Sequence, residues 1–299
     1  MRMTRLTILP CLDSEELAER RRAELDVPRS FAADLGRSAM QACVDGQYRD
    51  AHGRTVDWAE SVAAARAAKR SIAPDTDLPV PRDAQFPETR VQVTNETTTG
   101  AARRLVDRGL RPLALNFANG VKPGGGFLSG ARAQEETLCR SSALYQTLVD
   151  DPMYEAHRRR PEPDSTAWAI LSPDVPVFRT DEGTALSEPW PLSFLTCAAP
   201  YAPRVGQPRS ADLLEQRIHR ILSIARAYRY EPLILGAWGC GAFENDPVRT
   251  AADFRDALDD EFAGAFREVV FAITDWSAER RFLAPFRDAF SAASSDPAG

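Results

Sequence analysis

Histidine is scarce in this chain: His52, His157 and His219 are the whole supply. They lie far apart, at no spacing that would build a zinc site. The five cysteines, Cys11, Cys43, Cys139, Cys197 and Cys240, are dispersed and odd in number, and no Cys-x-x-Cys occurs. That argues against a disulfide framework and for reduced thiols, so a cytoplasmic protein is expected. No apolar stretch approaches the ~20 residues that a membrane-spanning helix needs. The start, Met1-Arg2-Met3-Thr4-Arg5-Leu6, has no convincing signal-peptide core. Basic charge is in deficit, with 37 Lys and Arg against 43 Asp and Glu and a net charge of −6. Such a surface does not gather polyanions non-specifically as basic nucleic-acid binders do, so an anionic ligand would need a local pocket.

What the chain does have is 299 residues, 43% of them hydrophobic, enough for one large domain or two small ones. Its most informative stretch begins with the apolar run Leu113 to Leu115 and Phe117. Pro123-Gly124-Gly125-Gly126-Phe127 and then Gln134-Glu135-Glu136 follow. Leu138, Ser142, Tyr145 and Leu148 recur at helical spacing, so the stretch reads strand, glycine loop, helix. Adjacent glycines let a ligand come close to the main chain. Two glutamates in the first helical turn stand beside free backbone N–H groups. Either feature alone is ordinary, a turn or a carboxylate complementing the helix dipole. Together they form a plausible acid/base site.

A second glycine loop comes late. Pro232 to Leu235 reads as a short buried strand entering Gly236-Ala237-Trp238-Gly239-Cys240-Gly241-Ala242-Phe243-Glu244-Asn245-Asp246-Pro247. Asp246 suits a helix cap and Pro247 the first helical position. Backbone N–H groups around Gly239 and Gly241 are suited to an anion. No Lys-Ser or Lys-Thr follows, so this is not a Walker loop, and its late position does not suit a dinucleotide fingerprint. Cys240 has no histidine or lysine nearby in sequence and reads as unreactive. Phe243 suits a core position as well as a ligand contact.

Around these loops, helices are expected over 14–25 and 30–45 and from Trp58 to Ala68, with a Pro- and Asp-rich connector over 73–88. From residue 90 strands and helices alternate, which predicts a mostly parallel sheet covered on both faces. Asn95-Glu96-Thr97-Thr98 reads as a helix N-cap. Residues 151–166, including Arg158-Arg159-Arg160, read as a solvated loop. Trp168–Leu171 and Val175–Phe178 read as two strands, and 179–191 as a polar loop. Phe194–Ala199 reads as a strand, and Leu214 to Ala225 as the clearest amphipathic helix. After a strand over Val269–Ile273, a final helix is expected from Asp275 through Phe290, kinked at Pro285.

The spacing Gly-Gly-Gly, seven residues, Gln-Glu-Glu resembles the motif of the bacterial-type poly(ADP-ribose) glycohydrolases. The likeness extends outward through Leu115-Asn116-Phe117-Ala118-Asn119 and Leu138-Cys139-Arg140-Ser141-Ser142-Ala143-Leu144-Tyr145. It implies an α/β, macrodomain-like three-layer sandwich with a mixed, mostly parallel sheet. The N-terminal helical extension would cover 1–85, the catalytic core 86–292 and a disordered tail 293–299. It implies hydrolysis of terminal ribose–ribose O-glycosidic bonds in poly(ADP-ribose), releasing ADP-ribose. Glu136 would protonate the leaving oxygen, then activate water. Glu135 and Asn119 would hold ribose hydroxyls. Gly124, Gly125, Gly126 and Phe127 would close over that ribose, and Gln134 would help orient the ligand. Gly239, Cys240, Gly241, Ala242 and Phe243 would bind the diphosphate and position the ribose, with Asn95 to Thr98 near the adenine. No metal or cofactor is implied. The partners would be poly(ADP-ribose) or ADP-ribosylated protein, met by a monomer with no membrane contact. Two other readings share the pocket: a hydrolase of mono-ADP-ribosyl groups, and a macrodomain that binds ADP-ribose without cleaving it. An intact Gln-Glu-Glu argues against the second. An unrelated α/β nucleotide binder would leave the two loops unexplained.

Overall fold

The computed structural model describes residues 5–79 and 85–291. In chain order its elements are β1 (Arg5–Ile8), α1 (Glu15–Leu25), α2 (Arg29–Asp45), β2 (Gln47–Arg49), β3 (Thr55–Asp57), α3 (Ala59–Ala68) and β4 (Arg70–Ile72). Then come β5 (Glu88–Thr94), α4 (Thr98–Val106), β6 (Leu113–Phe117), α5 (Gln134–Ser141), α6 (Leu144–Leu148), α7 (Pro152–Arg158), β7 (Ala169–Arg179) and β8 (Ala185–Cys197). The chain continues through α8 (Ala202–Val205), α9 (Arg209–Ala227), β9 (Pro232–Leu235), α10 (Pro247–Asp259), β10 (Glu268–Ala272) and α11 (Leu283–Ala289). The tail expected over 293–299 lies outside the described residues, as does part of the connector expected over 73–88.

Eight strands form one mixed sheet in the order β1-β5-β10-β9-β6-β8-β7-β4. From β1 across to β8 every neighbour is parallel, and β7 and β4 join antiparallel. Successive side chains of a strand face opposite ways. Leu113, Leu115, Leu233, Leu235, Val269 and Phe271 accordingly enter one core, under α9, α10 and α11. Ala114, Ile234 and Val270 enter the other, under α2 to α7. The result is the expected three layers. Asp246 caps α10 by accepting from the Val248 amide, with Pro247 at the helix start, as its sequence required. Thr97 caps α4 by accepting from the Gly100 amide.

Several elements depart from the periodicity. The N-terminal third is not helical alone: it supplies both edge strands, β1 and β4. The helix expected from Leu138 through Leu148 breaks at Ser142, whose backbone is extended. The Ser142 hydroxyl donates to the Leu138 carbonyl (2.7 Å) and accepts from the Leu144 amide (3.2 Å). A serine that offers the backbone such local partners competes with helix continuation. The two strands expected around Ser172-Pro173-Asp174 are one, β7, in which those residues make a bulge against β8. The loop expected over 179–191 is instead largely the start of β8. The loop expected over 151–166 contains α7, capped by Asp151 with Pro152 in its first turn. Arg158 and Arg159 pair with Glu155, and Arg160 with Asp164, so their charges are met locally. The last helix starts only at Leu283, because the Asp275 carboxylate instead ties the Ser277, Phe282 and Leu283 amides into a loop. Pro285 then falls in the first turn of α11, where its missing N–H costs no helical hydrogen bond and causes no kink.

Candidate active site

The carboxyl ends of β6, β9, β10 and β5 open on one cavity of about 360 Å³. In an open α/β sheet this is the end where ligands bind. Glu135 and Glu136 both line it from the first turn of α5. They are buried, at 3% and 8% exposure, yet their partners differ. Both oxygens of Glu135 are occupied: Oε2 accepts from the Asn119 amide (2.7 Å) and Oε1 from Asn116 Nδ2 (3.3 Å). Glu136 Oε1 accepts from the Gly126 amide (2.9 Å). Burial, together with the charge of Glu136, pushes the Glu135 carboxyl up to about 8, against the pull of its hydrogen bonds.

At Gly125 these carboxylates fill the space that a side chain would need. Gly124 and Gly125 have φ of 66° and 56°, a region glycine enters without strain. A Cβ on Gly125 would fall well inside 3.0 Å of Glu136 Oε1 and stand 3.0 Å from Glu135 Oε2. Asn119 Oδ1 accepts from the Val121 and Lys122 amides. That turn aims the loop and uses the oxygen of the side chain. Buried His157 contacts the Gly120 carbonyl (2.9 Å) and the Thr166 hydroxyl (2.7 Å), a structural histidine that steadies the same loop.

Of the expected ligand contacts, Gly124, Gly125 and Gly126 are not among the residues that line the cavity, and Gln134 and Phe127 are engaged within the protein. The Gln134 amide accepts from the Phe117 N–H (2.9 Å) and donates to the Leu115 carbonyl (2.7 Å) and the Thr98 hydroxyl (3.1 Å). It ties β6, α4 and α5 together, so its polar atoms are engaged within the protein although it borders the cavity. The Phe127 ring is 2% exposed and packs against Tyr145, at 5.1 Å between centroids, in the core rather than on the cavity wall.

Across the cavity lie Gly239, Gly241, Ala242 and Phe243. Gly239 has φ of 78°, and a Cβ there would stand 2.7 Å from Ala199 Cβ. Gly241 is exposed, and a Cβ there would meet no protein atom within 4 Å. Phe243 is half-buried against Tyr201. Cys240 turns away: its thiol is buried, points at the Trp238 carbonyl (3.6 Å) and is pushed up to about 12 by burial. Its side chain is inert, as its surroundings in sequence suggested.

The cavity reaches further than the two loops. Thr97, Thr99, Asp181, Trp276 and Phe282 complete its walls. Trp276 follows β10 and leaves 42% of its surface exposed. The rule that ligands sit beyond parallel strand ends was the one signal for it. Asp181 comes from the β7–β8 turn, held by the Thr99 hydroxyl at 2.6 Å, and burial raises its carboxyl above the usual range. Nothing in the local sequence marked it. Among the described residues no group of three or more His, Cys, Asp or Glu side chains is placed to hold a metal. No helix among them is long and apolar enough to cross a membrane.

A macrodomain-like sandwich with a buried carboxylate pair facing a glycine loop defines a class of ADP-ribose-handling proteins, and comparison narrows it. The family model for the catalytic domain of microbial-type poly(ADP-ribose) glycohydrolase (PARG) matches residues 36–180. PARG from Thermomonospora curvata is 39% identical, over 87% of this chain and 99% of that one, with a TM-score of 0.82. A structure of the Thermomonospora curvata enzyme bound to the inhibitor ADP-HPD is 38% identical over the same shares, with a TM-score of 0.80. PARG from Deinococcus radiodurans in complex with ADP-ribose is 39% identical, over 77% of this chain and 97% of that one, with a TM-score of 0.72. No curated protein matches the chain. The chain belongs to the microbial-type poly(ADP-ribose) glycohydrolase family.

Proposed function

We propose that the chain hydrolyses the ribose–ribose O-glycosidic bond at the end of poly(ADP-ribose) and releases ADP-ribose, with Glu136 acting on the leaving oxygen. The observation that carries the assignment is the unequal state of the two glutamates. Both line the cavity, but Glu135 is committed on both oxygens to Asn116 and Asn119, whereas Glu136 accepts from one loop amide. Cleavage through an oxocarbenium-like state needs a proton on the departing oxygen and a base for the incoming water. Glu136 supplies both in turn. Glu135 braces the Asn119 loop, so that Asn119 Nδ2 is left for a ribose hydroxyl. The amides around Gly241 receive the diphosphate, and their backbone can approach it because no side chain intervenes. Phe243 stands beside the ribose. Glu96, Trp276 and Phe282 line the cavity where the adenine would rest. The substrate is the free polymer or the polymer on a modified protein, bound by one copy of the chain. All five thiols are free, which supports a reducing compartment, the cytoplasm.

Glu136→Gln tests the assignment. The amide keeps the shape and the Gly126 contact but can neither give nor take the proton. Turnover of labelled poly(ADP-ribose) should fall by at least about a thousandfold while ADP-ribose affinity stays within about threefold. Retained turnover removes Glu136 from the role. Release of ADP-ribose from mono-ADP-ribosylated protein but not from polymer would transfer the activity to that substrate class.

A further inference from the structure

The N-terminal helices reach the reaction centre through the segment between the glycine triplet and α5. Gly36 is buried in the middle of α2, where alanine would be the better helix former. A Cβ there would stand 2.5 Å from the Phe127 carbonyl oxygen and 3.1 Å from its carbon. The other side of the contact has its own glycine. Gly130 has φ of 80°, and a Cβ there would fall well inside 3.0 Å of the Arg29 carbonyl oxygen. One glycine from each partner therefore lets two backbones touch with no side chain between them.

Three arginines close the contact. Arg29 Nε donates to the Ser129 carbonyl (3.0 Å), and Arg37 Nη1 reaches the Leu128 carbonyl (3.5 Å). From the loop side, Arg132 Nη1 donates to Asp26 Oδ1 (2.6 Å) and to the Val27 carbonyl (2.9 Å), between α1 and α2. Within the loop, the Gly126 carbonyl accepts from the Ser129 and Ala131 amides. The Gly126 N–H, on the same residue, is the donor that holds Glu136 Oε1.

We infer that α2 is a clasp on the catalytic loop, with Gly36, Arg29 and Arg37 as positioning residues that fix the Gly126 amide and, through it, the Glu136 carboxylate. This rests on the reading of Glu136 given above. Arg29, Gly36 and Arg37 touch the loop away from the cavity lining, which Arg132 borders. Loosening the clasp should therefore blur the alignment of the acid more than it weakens ligand binding. Small misplacements of a reacting group are expensive in rate.

The test uses the full chain. In the double variant Arg29→Ala/Arg37→Ala, both side chains are exposed, so the core is untouched. Hydrogen exchange of the amides from 124 to 131 should quicken. kcat on poly(ADP-ribose) should fall about tenfold or more, while KM and ADP-ribose affinity change by less than about threefold. Arg29→Lys in place of Arg29→Ala in the double variant should recover part of kcat, since an ammonium still donates to one carbonyl. Gly36→Ala is the stricter probe: a role confined to helix stability predicts equal or better stability and unchanged kcat, whereas the clasp predicts faster loop exchange and lower kcat. Loop exchange and kcat both equal to wild type in the double variant would overturn the inference. So would a kcat loss no larger than the unfolded fraction measured in the same sample. Because exchange needs no turnover, a wild-type chain inert on polymer would sink the proposed activity and still leave the clasp to be judged by exchange.

Discussion

In the loop after β6 the protein's own atoms demand the glycines. Gly124 and Gly125 are left-handed, and the space beside Gly125 is filled by Glu135 and Glu136. In the loop after β9, Gly239 is likewise fixed by φ and by Ala199, but Gly241 is not: its φ is ordinary and its surroundings are open. The two glycine-rich loops thus have different origins. The first is shaped at Gly125 by Glu135 and Glu136 and held from outside by α2. The second keeps at least one position small that the folded chain has no need to keep small. On the proposed reading, that position is kept small for the diphosphate.

The comparison breaks most severely at Gly125→Ala. An alanine at φ of 56° is strained by roughly 1 kcal/mol. Its methyl group must also displace the Glu136 carboxylate from the Gly126 amide. Turnover should fall about a thousandfold, equivalent to ~4 kcal/mol of transition-state stabilisation, with a lower Tm. Single-turnover kinetics and thermal melts measure both. Wild-type turnover in this variant would mean that the first loop is as permissive as the second.

A middle-sized effect lies in Glu135, the buried member of the pair. Its folded value near 8 stands above its ordinary 4.5. Between those limits the native state holds a proton that the unfolded chain has released, so wild-type stability declines as pH rises from about 5 to 8 and levels off above that. Glu135→Gln removes the titration. The variant's Tm minus that of wild type should climb over this window by several degrees, corresponding to roughly 3 kcal/mol. Any fixed cost of the amide shifts the whole curve and leaves its slope. Turnover should fall at the same time, since an amide offers a single acceptor oxygen and cannot accept from both the Asn119 N–H and Asn116 Nδ2. A difference in Tm that stays flat from pH 5 to 9 would falsify the claim that burying this charge is costly.

What was readable in advance follows the range of the interactions. Asp246-Pro247 as a helix start, the strands through Leu113 and Leu233, and the Gly-Gly-Gly to Gln-Glu-Glu unit are local patterns. The chain encodes them within a dozen residues or so. β1 and β4 were invisible because strands so short mean little without their partners, β5 and β7, which lie about a hundred residues or fewer away in sequence. Ser142 was read by its spacing, whereas its hydroxyl decided the outcome. In the site, residue identity placed Glu135 and Glu136 in the cavity, but it said nothing of which one had free oxygens. For Gln134 the resemblance implies a ligand contact; only the full set of its hydrogen bonds reveals a brace. Asp181 arrives on a hairpin turn that no short window connects to the pocket.

The smallest effect is the most selective, at Gly241. Valine there adds a branched side chain at the cavity wall without meeting a protein atom at Cβ, so Tm should stay within about 2 °C of wild type. If the diphosphate lies against this backbone, the added methyl groups stand between the amides and the anion. ADP-ribose affinity should drop by about ten- to a hundredfold, or ~1.4–2.8 kcal/mol, measured by calorimetry at fixed salt. Gly239→Val, at φ of 78° and against Ala199, is the contrasting variant: it should lose stability first and affinity only as a consequence. If Gly241→Val binds ADP-ribose like wild type, the open space beside that glycine faces solvent. The second loop would then be a turn of the fold and not a cradle for the ligand.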